Sequence, residues 1–102
     1  MRGLRRIMDI VLFYCADNET YEFTYRDIRI YFFRMVKQRR MYRIDWHTVE
    51  RGLRRLAEMG FLRRVKYRKT VKFVVMPPLI RYYGLPDIVY SDPLLLRKYV
   101  KS

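Results

Sequence analysis

Leu4, Ile7, Met8, Val11, Leu12 and Cys15 fall at i, i+3, i+4, i+7, i+8 and i+11, a spacing that predicts one wide apolar face on a helix over Arg2 to Cys15. Arg2, Arg5 and Arg6 lie off that face near the helix start, where cations oppose the macrodipole. Asp17 and Asn18 end the helix, and Thr20 to Phe23 alternates as a short strand. Thr24 with Asp27 three residues on forms a shortened capping box, which opens a second helix over Tyr25 to Gln38. Ile28, Tyr31, Phe32 and Met35 share its apolar face. Ile30 and Phe33 point nearly opposite, among Arg26, Arg34 and Lys37, and need a cover. Either the C-terminal tail or a second copy in a homodimer would supply it.

After a basic linker, Arg39 to Arg43, the chain reads as one helix running into one β-hairpin. Asp45 is placed to cap the helix, and Val49, Leu53 and Leu56 line its inner face. Gly60 follows Met59, where a left-handed residue closes a helix at little cost. Phe61 to Lys66 and Thr70 to Met76 pair as strands around a turn near Tyr67, Arg68 and Lys69. The outer helix face carries His47, Arg51, Arg54, Arg55 and Glu58. An anchored helix thus projects a basic face beside a basic hairpin.

Pro77-Pro78 stops the second strand, since neither residue can donate to a ladder. Leu79 to Tyr90 reads as an aromatic-rich connector with Gly84 and Pro86. Asp92 and Pro93 start a last short helix over Leu94 to Lys101, with Leu95, Leu96 and Tyr99 on its apolar side. This divides the chain into residues 1–78 and a C-terminal extension, 79–102, that serves dimerisation or covers the core.

Composition changes the picture mainly through charge. A formal net charge of +13 on 102 residues says nothing about fold but favours polyanionic partners. The 51% hydrophobic and 17% aromatic content excludes a disordered basic tail. One cysteine, Cys15, cannot form an internal disulfide, and its apolar position suits an inert buried thiol better than an intersubunit bridge. With His47 the single histidine, no protein-only metal site is expected. The apolar run Ile10 to Ala16 is too short to span a bilayer, and no small-residue cleavage site follows Arg5 and Arg6. The expectation is therefore a soluble, cytoplasmic protein with no membrane partner. Asn18 is the only Asn and Gln38 the only Gln, a scarcity of labile amides that suits a hyperthermophile. No Ser/His/Asp set, paired acids or glycine-rich phosphate loop is present, so no enzyme, catalytic residue or cofactor is expected.

Helix, short strand, helix, helix, hairpin is an α+β order that resembles the winged-helix family of helix-turn-helix proteins. The resemblance spans Phe23 to about Val75: Phe23-Thr24, Asp27-Ile28, Thr48-Val49, Leu53, Leu56, then Gly60, Phe61, Leu62 and Arg64. In its small, basic, tyrosine-rich character the chain is similar to archaeal and archaeal-virus members. It departs from the family in its long second helix and in the loose Arg39–Arg43 linker.

The resemblance implies a three-helix core with a short first strand and a two-stranded wing. It also implies double-stranded DNA as ligand, with the third helix in the major groove and the wing on the backbone. Carried over by position, the groove-facing residues are Trp46, His47, Glu50, Arg51, Arg54 and Arg55, and the wing residues Lys66, Arg68 and Lys69, with Lys72 just beyond. Arg51 and Arg54 stand where a guanidinium can lie bidentate on guanine. Glu50 either accepts from cytosine or holds Arg54 in an i, i+4 pair, the latter being the commoner use. Trp46 either touches the groove or fastens its helix to the core, and the second use is the more frequent. The alternative is an RNA-binding or ribonucleoprotein-associated chain, in which Tyr67, Tyr82 and Tyr83 stack on unpaired bases. A third is a protein-interaction module in a transcription or replication assembly.

Overall fold

The structure, a computed structural model, describes residues 2–38 and 44–100. The linker expected over Arg39–Arg43 lies outside the described residues. The chain is α+β, with six helices and one three-stranded antiparallel sheet among those residues. The elements are α1 (Arg2–Asn18), β1 (Glu22–Thr24), α2 (Tyr25–Lys37), α3 (Trp46–Glu58), β2 (Leu62–Tyr67), β3 (Thr70–Val75), α4 (Pro77–Tyr82), α5 (Ile88–Ser91) and α6 (Pro93–Tyr99). The sheet order is β1-β3-β2, so the hairpin continues outward from a strand that β1 pins to the core.

Local chemistry sets most boundaries. Thr24 Oγ1 accepts from Asp27 N–H at 3.1 Å while Thr24 N–H donates to Asp27 Oδ2 at 2.9 Å, the reciprocal box that starts α2. Asp45 Oδ1 accepts from Thr48 N–H at 2.7 Å and caps α3. Gly60, at φ 86°, lets Phe61 N–H reach the Leu56 carbonyl at 3.0 Å and closes α3 in a Schellman turn. The same closure ends α1 around Glu19, at φ 54°, where Thr20 N–H reaches the Cys15 carbonyl at 3.2 Å. Hence α1 runs one turn further than its apolar stripe, to Asn18.

Two expectations need correction. Pro77 and Pro78 do end β3, but they also open α4, because a proline in the first helical turn gives up no intrahelical donor. The stretch expected as a connector is therefore largely helical, as α4 and α5. Nor does the C-terminal tail cover Ile30 and Phe33, which stay 51% and 50% exposed. Instead α6 packs on α1, with Leu96 fully buried and Leu95 partly so, while Tyr99 is half exposed.

The core runs through all of this. Ile7, Met8, Val11, Leu12 and Cys15 of α1 are buried with Ile28, Phe32, Leu53, Leu56, Phe73 and Val75. Leu79, Ile80, Val89 and Leu96 from the C-terminal segment join the same cluster. Tyr21 fastens that segment, its hydroxyl donating to the Val89 carbonyl at 2.6 Å and its ring stacking 5.4 Å from Tyr90. No helix among the described residues is long and apolar enough to cross a membrane.

Candidate nucleic-acid interface

Burial divides α3 into two faces. Val49, Gly52, Leu53 and Leu56 are buried, at the i, i+3, i+4, i+7 positions that look inward. Arg51, Arg54, Arg55 and Glu58 are exposed on the other side. The inward face sits close to α1: the Cβ that Gly52 lacks would stand 2.2 Å from Ile7 Cδ1. Close approach on the inside presses the helix flat and leaves its arginines standing outward.

The expected site residues separate into three groups. Arg51, Arg54 and Arg55 share the exposed face of α3, and none has an ion-pair partner among the described residues. His47 stands at the start of the same face, its side chain 82% exposed and Nδ1 3.8 Å from Glu50 Oε1. Glu50 thus turns back toward the N-terminus, the direction in which helical side chains lean, and the expected pair with Arg54 is not formed. Trp46 departs from the rest. It is partly buried, its ring 6.2 Å from Phe32 and 5.9 Å from the Arg29 guanidinium, so it fastens the start of α3 to α2.

Lys66, Arg68 and Lys69 are brought to the far end of the β2–β3 hairpin, all exposed. Tyr67 pairs with Thr70, which leaves Arg68 and Lys69 as a two-residue turn. Arg68 takes φ 54° there, a left-handed conformation that glycine adopts far more cheaply. Its guanidinium lies 5.6 Å from the ring centre of Tyr67, which is 67% exposed. Lys72 pairs with Glu22 at 3.8 Å, across to β1, and so is partly neutralised.

Two further basic residues join the surface without having been expected as binding residues. Arg63 and Arg64 on β2 line an open groove of about 510 Å³ together with Arg54, Glu58, Leu62 and Met76. In register Leu62, Arg64 and Lys66 oppose Val75, Phe73 and Val71, so they share the sheet's inner face. Only Leu62 is buried, because β2 is the edge strand and runs out past the core. The alternation was readable, but which strand forms the edge was not. From Asp45 to Met76 the chain carries nine Lys or Arg against three acids, so the helix face and hairpin form one cationic surface.

Asp45 is held below the usual carboxylate range by its backbone hydrogen bond from Thr48. It stays ionised at neutral pH and secures the first turn of α3. No group of three His, Cys, Asp or Glu side chains that could hold a metal ion occurs among the described residues. No family model, curated protein or solved structure matches the chain.

Proposed function

We propose that this chain is a sequence-specific double-stranded DNA-binding protein of the winged-helix kind, acting as a transcriptional regulator. The observation that carries it is the division of α3: an aliphatic face sunk in the core, and on the opposite face three exposed arginines with no ion-pair partner among the described residues. The order α1-β1-α2-α3-β2-β3 with sheet order β1-β3-β2 supports the fold reading. A 13-residue helix is about 20 Å long and about 10–12 Å across, which suits a major groove about 12 Å wide.

In this reading Arg51 and Arg54 meet base edges, where a guanidinium matches the two acceptors of guanine. Arg55 and His47 flank them. Trp46 acts at one remove, fixing where α3 begins. Lys66, Arg68 and Lys69 meet phosphates and set the register of the helix without specifying sequence. Arg63 and Arg64 extend the phosphate-binding surface along the edge of the hairpin.

Selection of bound sequences from random duplex tests the reading. The expected result is one convergent motif whose affinity exceeds that for random duplex by about a thousandfold or more. Retention of random sequences without enrichment, or tighter binding to structured RNA at equal salt, overturns it.

A further inference from the structure

The first turn of α1 touches two surfaces at once. Gly3 and Leu4 line a groove of about 450 Å³ with Thr48, Arg51 and Arg55 of α3. Next along, the Arg5 guanidinium lies 5.6 Å from the ring centre of Tyr82 and 4.5 Å from that of Tyr83. The polar face of α3 therefore connects, across one helix, to an aromatic cluster of Tyr82, Tyr83 and Phe61.

The two tyrosines are not equivalent. Tyr83 is committed: its hydroxyl donates to Asp9 Oδ1, and burial followed by that carboxylate pushes its phenol well above the ordinary range. Tyr82 remains 40% exposed. Phe61 stands nearly perpendicular to it at 5.8 Å and 78°, and Tyr83 at 5.6 Å and 72°. A ring held by its neighbours has little rotamer freedom left to lose when another flat ring settles on it. Two acids stand in this neighbourhood, and each is paired with an arginine: Asp9 with Arg5 at 3.2 Å and Asp87 with Arg81 at 3.3 Å.

We infer that Tyr82 is a stacking site for an unpaired nucleobase, so that the chain prefers a duplex carrying a single-stranded extension. Stacking on an exposed aromatic tolerates any base, because every base offers a π-face, and neighbouring cations hold the backbone. A strand leaving the face of α3 near Arg55 crosses the first turn of α1, about 10–12 Å wide, to reach Tyr82. The inference rests on the reading of α3 as a duplex-binding face.

Fluorescence anisotropy with one duplex in three forms tests it: blunt, with an unpaired extension of about four nucleotides, and with an abasic extension of equal length. The full chain is expected to bind the unpaired extension about five- to a hundredfold more tightly than the blunt form, the range that one stacked base confers. The abasic extension should lose most of that gain. Tyr82→Ala should lose it too, with blunt binding unchanged within about twofold, a change too small to reflect a lost contact. Tyr82→Leu keeps apolar bulk without a π-face and should behave alike, while Tyr82→Trp should keep the gain. Equal binding of blunt and extended forms overturns the inference, as does a gain that survives the abasic strand or Tyr82→Leu. Gain with a ribose or a deoxyribose extension supports it, and the sugar giving the larger gain identifies the strand. Binding of the single strand alone, dependent on Tyr82 and without any duplex binding, would support the stacking site while refuting the duplex reading of α3.

Discussion

Gly52 of α3 meets Ile7 of α1 so closely that its missing Cβ would stand 2.2 Å from Ile7 Cδ1, 3.0 Å from Cγ1 and 3.3 Å from Cγ2. Ile7 is 2% exposed, and its Cγ1 and Cγ2 as well as its mobile Cδ1 crowd that position. This contact sets the height at which α3 rides on the core, and with it the reach of Arg51 and Arg55.

Gly52→Ala is therefore expected to destabilise the protein, against helix propensity. Alanine favours a helix by about 1 kcal/mol over glycine, but overpacking costs about 1–3 kcal/mol. Ile7→Val removes Cδ1, so the double variant should lose less than the two single losses combined. Denaturant unfolding of all four proteins checks it, and additive losses would show that the two residues do not press on each other.

Arg51 occupies the centre of the exposed face of α3. Arg51→Ala should weaken cognate duplex by about 1–3 kcal/mol and leave random duplex nearly unchanged. Equal losses on both would assign Arg51 to phosphate alone.

Arg68 puts binding and stability in opposition. Glycine suits its φ of 54°, so Arg68→Gly should raise stability by up to about 1 kcal/mol while weakening duplex binding. Together with Lys69→Ala it should flatten the slope of log affinity against log salt by roughly one to two units, since each lost phosphate contact accounts for about 0.9. A changed base preference at constant slope would make the hairpin a reader of sequence.

Leu96 decides what the C-terminal segment is for. It is fully buried in the common core, so Leu96→Ala should cost about 2–5 kcal/mol. Thermal or denaturant unfolding measures the loss. A nearly neutral Leu96→Ala would mean that α6 is dispensable to the core.

Alkaline pH should loosen the same segment. Burial pushes the Tyr21 phenol up to about 12, from an ordinary value near 10. A raised folded value means that the neutral phenol is favoured by folding. The stabilisation is complete below about pH 10 and is lost as pH rises from there through about 12. Tyr21→Phe removes this component and leaves the Val89 carbonyl with only the longer bond from Asp92 N–H at 3.3 Å. Stability of the variant should be lower at pH 8 yet fall less between pH 10 and 12. Parallel decline in both proteins would place the alkaline transition elsewhere.

Residue order was enough to reveal the elements whose chemistry is local. The stripe from Leu4 to Cys15, the Thr24–Asp27 box, the Asp45 cap and the Gly60 turn each act over a few residues, so spacing alone reveals them. It also determined that Arg51, Arg54 and Arg55 lie opposite Val49, Leu53 and Leu56, because helical period fixes that relation whatever the helix packs against. The remaining features came from packing between distant segments. Ile10 and Ala16 are buried although they lie off the apolar stripe, because α1 is contacted by α2, α3 and α6 together. Trp46 turned to the core, Arg63 and Arg64 became exposed on an edge strand, and α6 chose α1 over Ile30 and Phe33. Each of these depends on contacts between residues far apart in the chain, and residue spacing carries no record of which distant surface arrives.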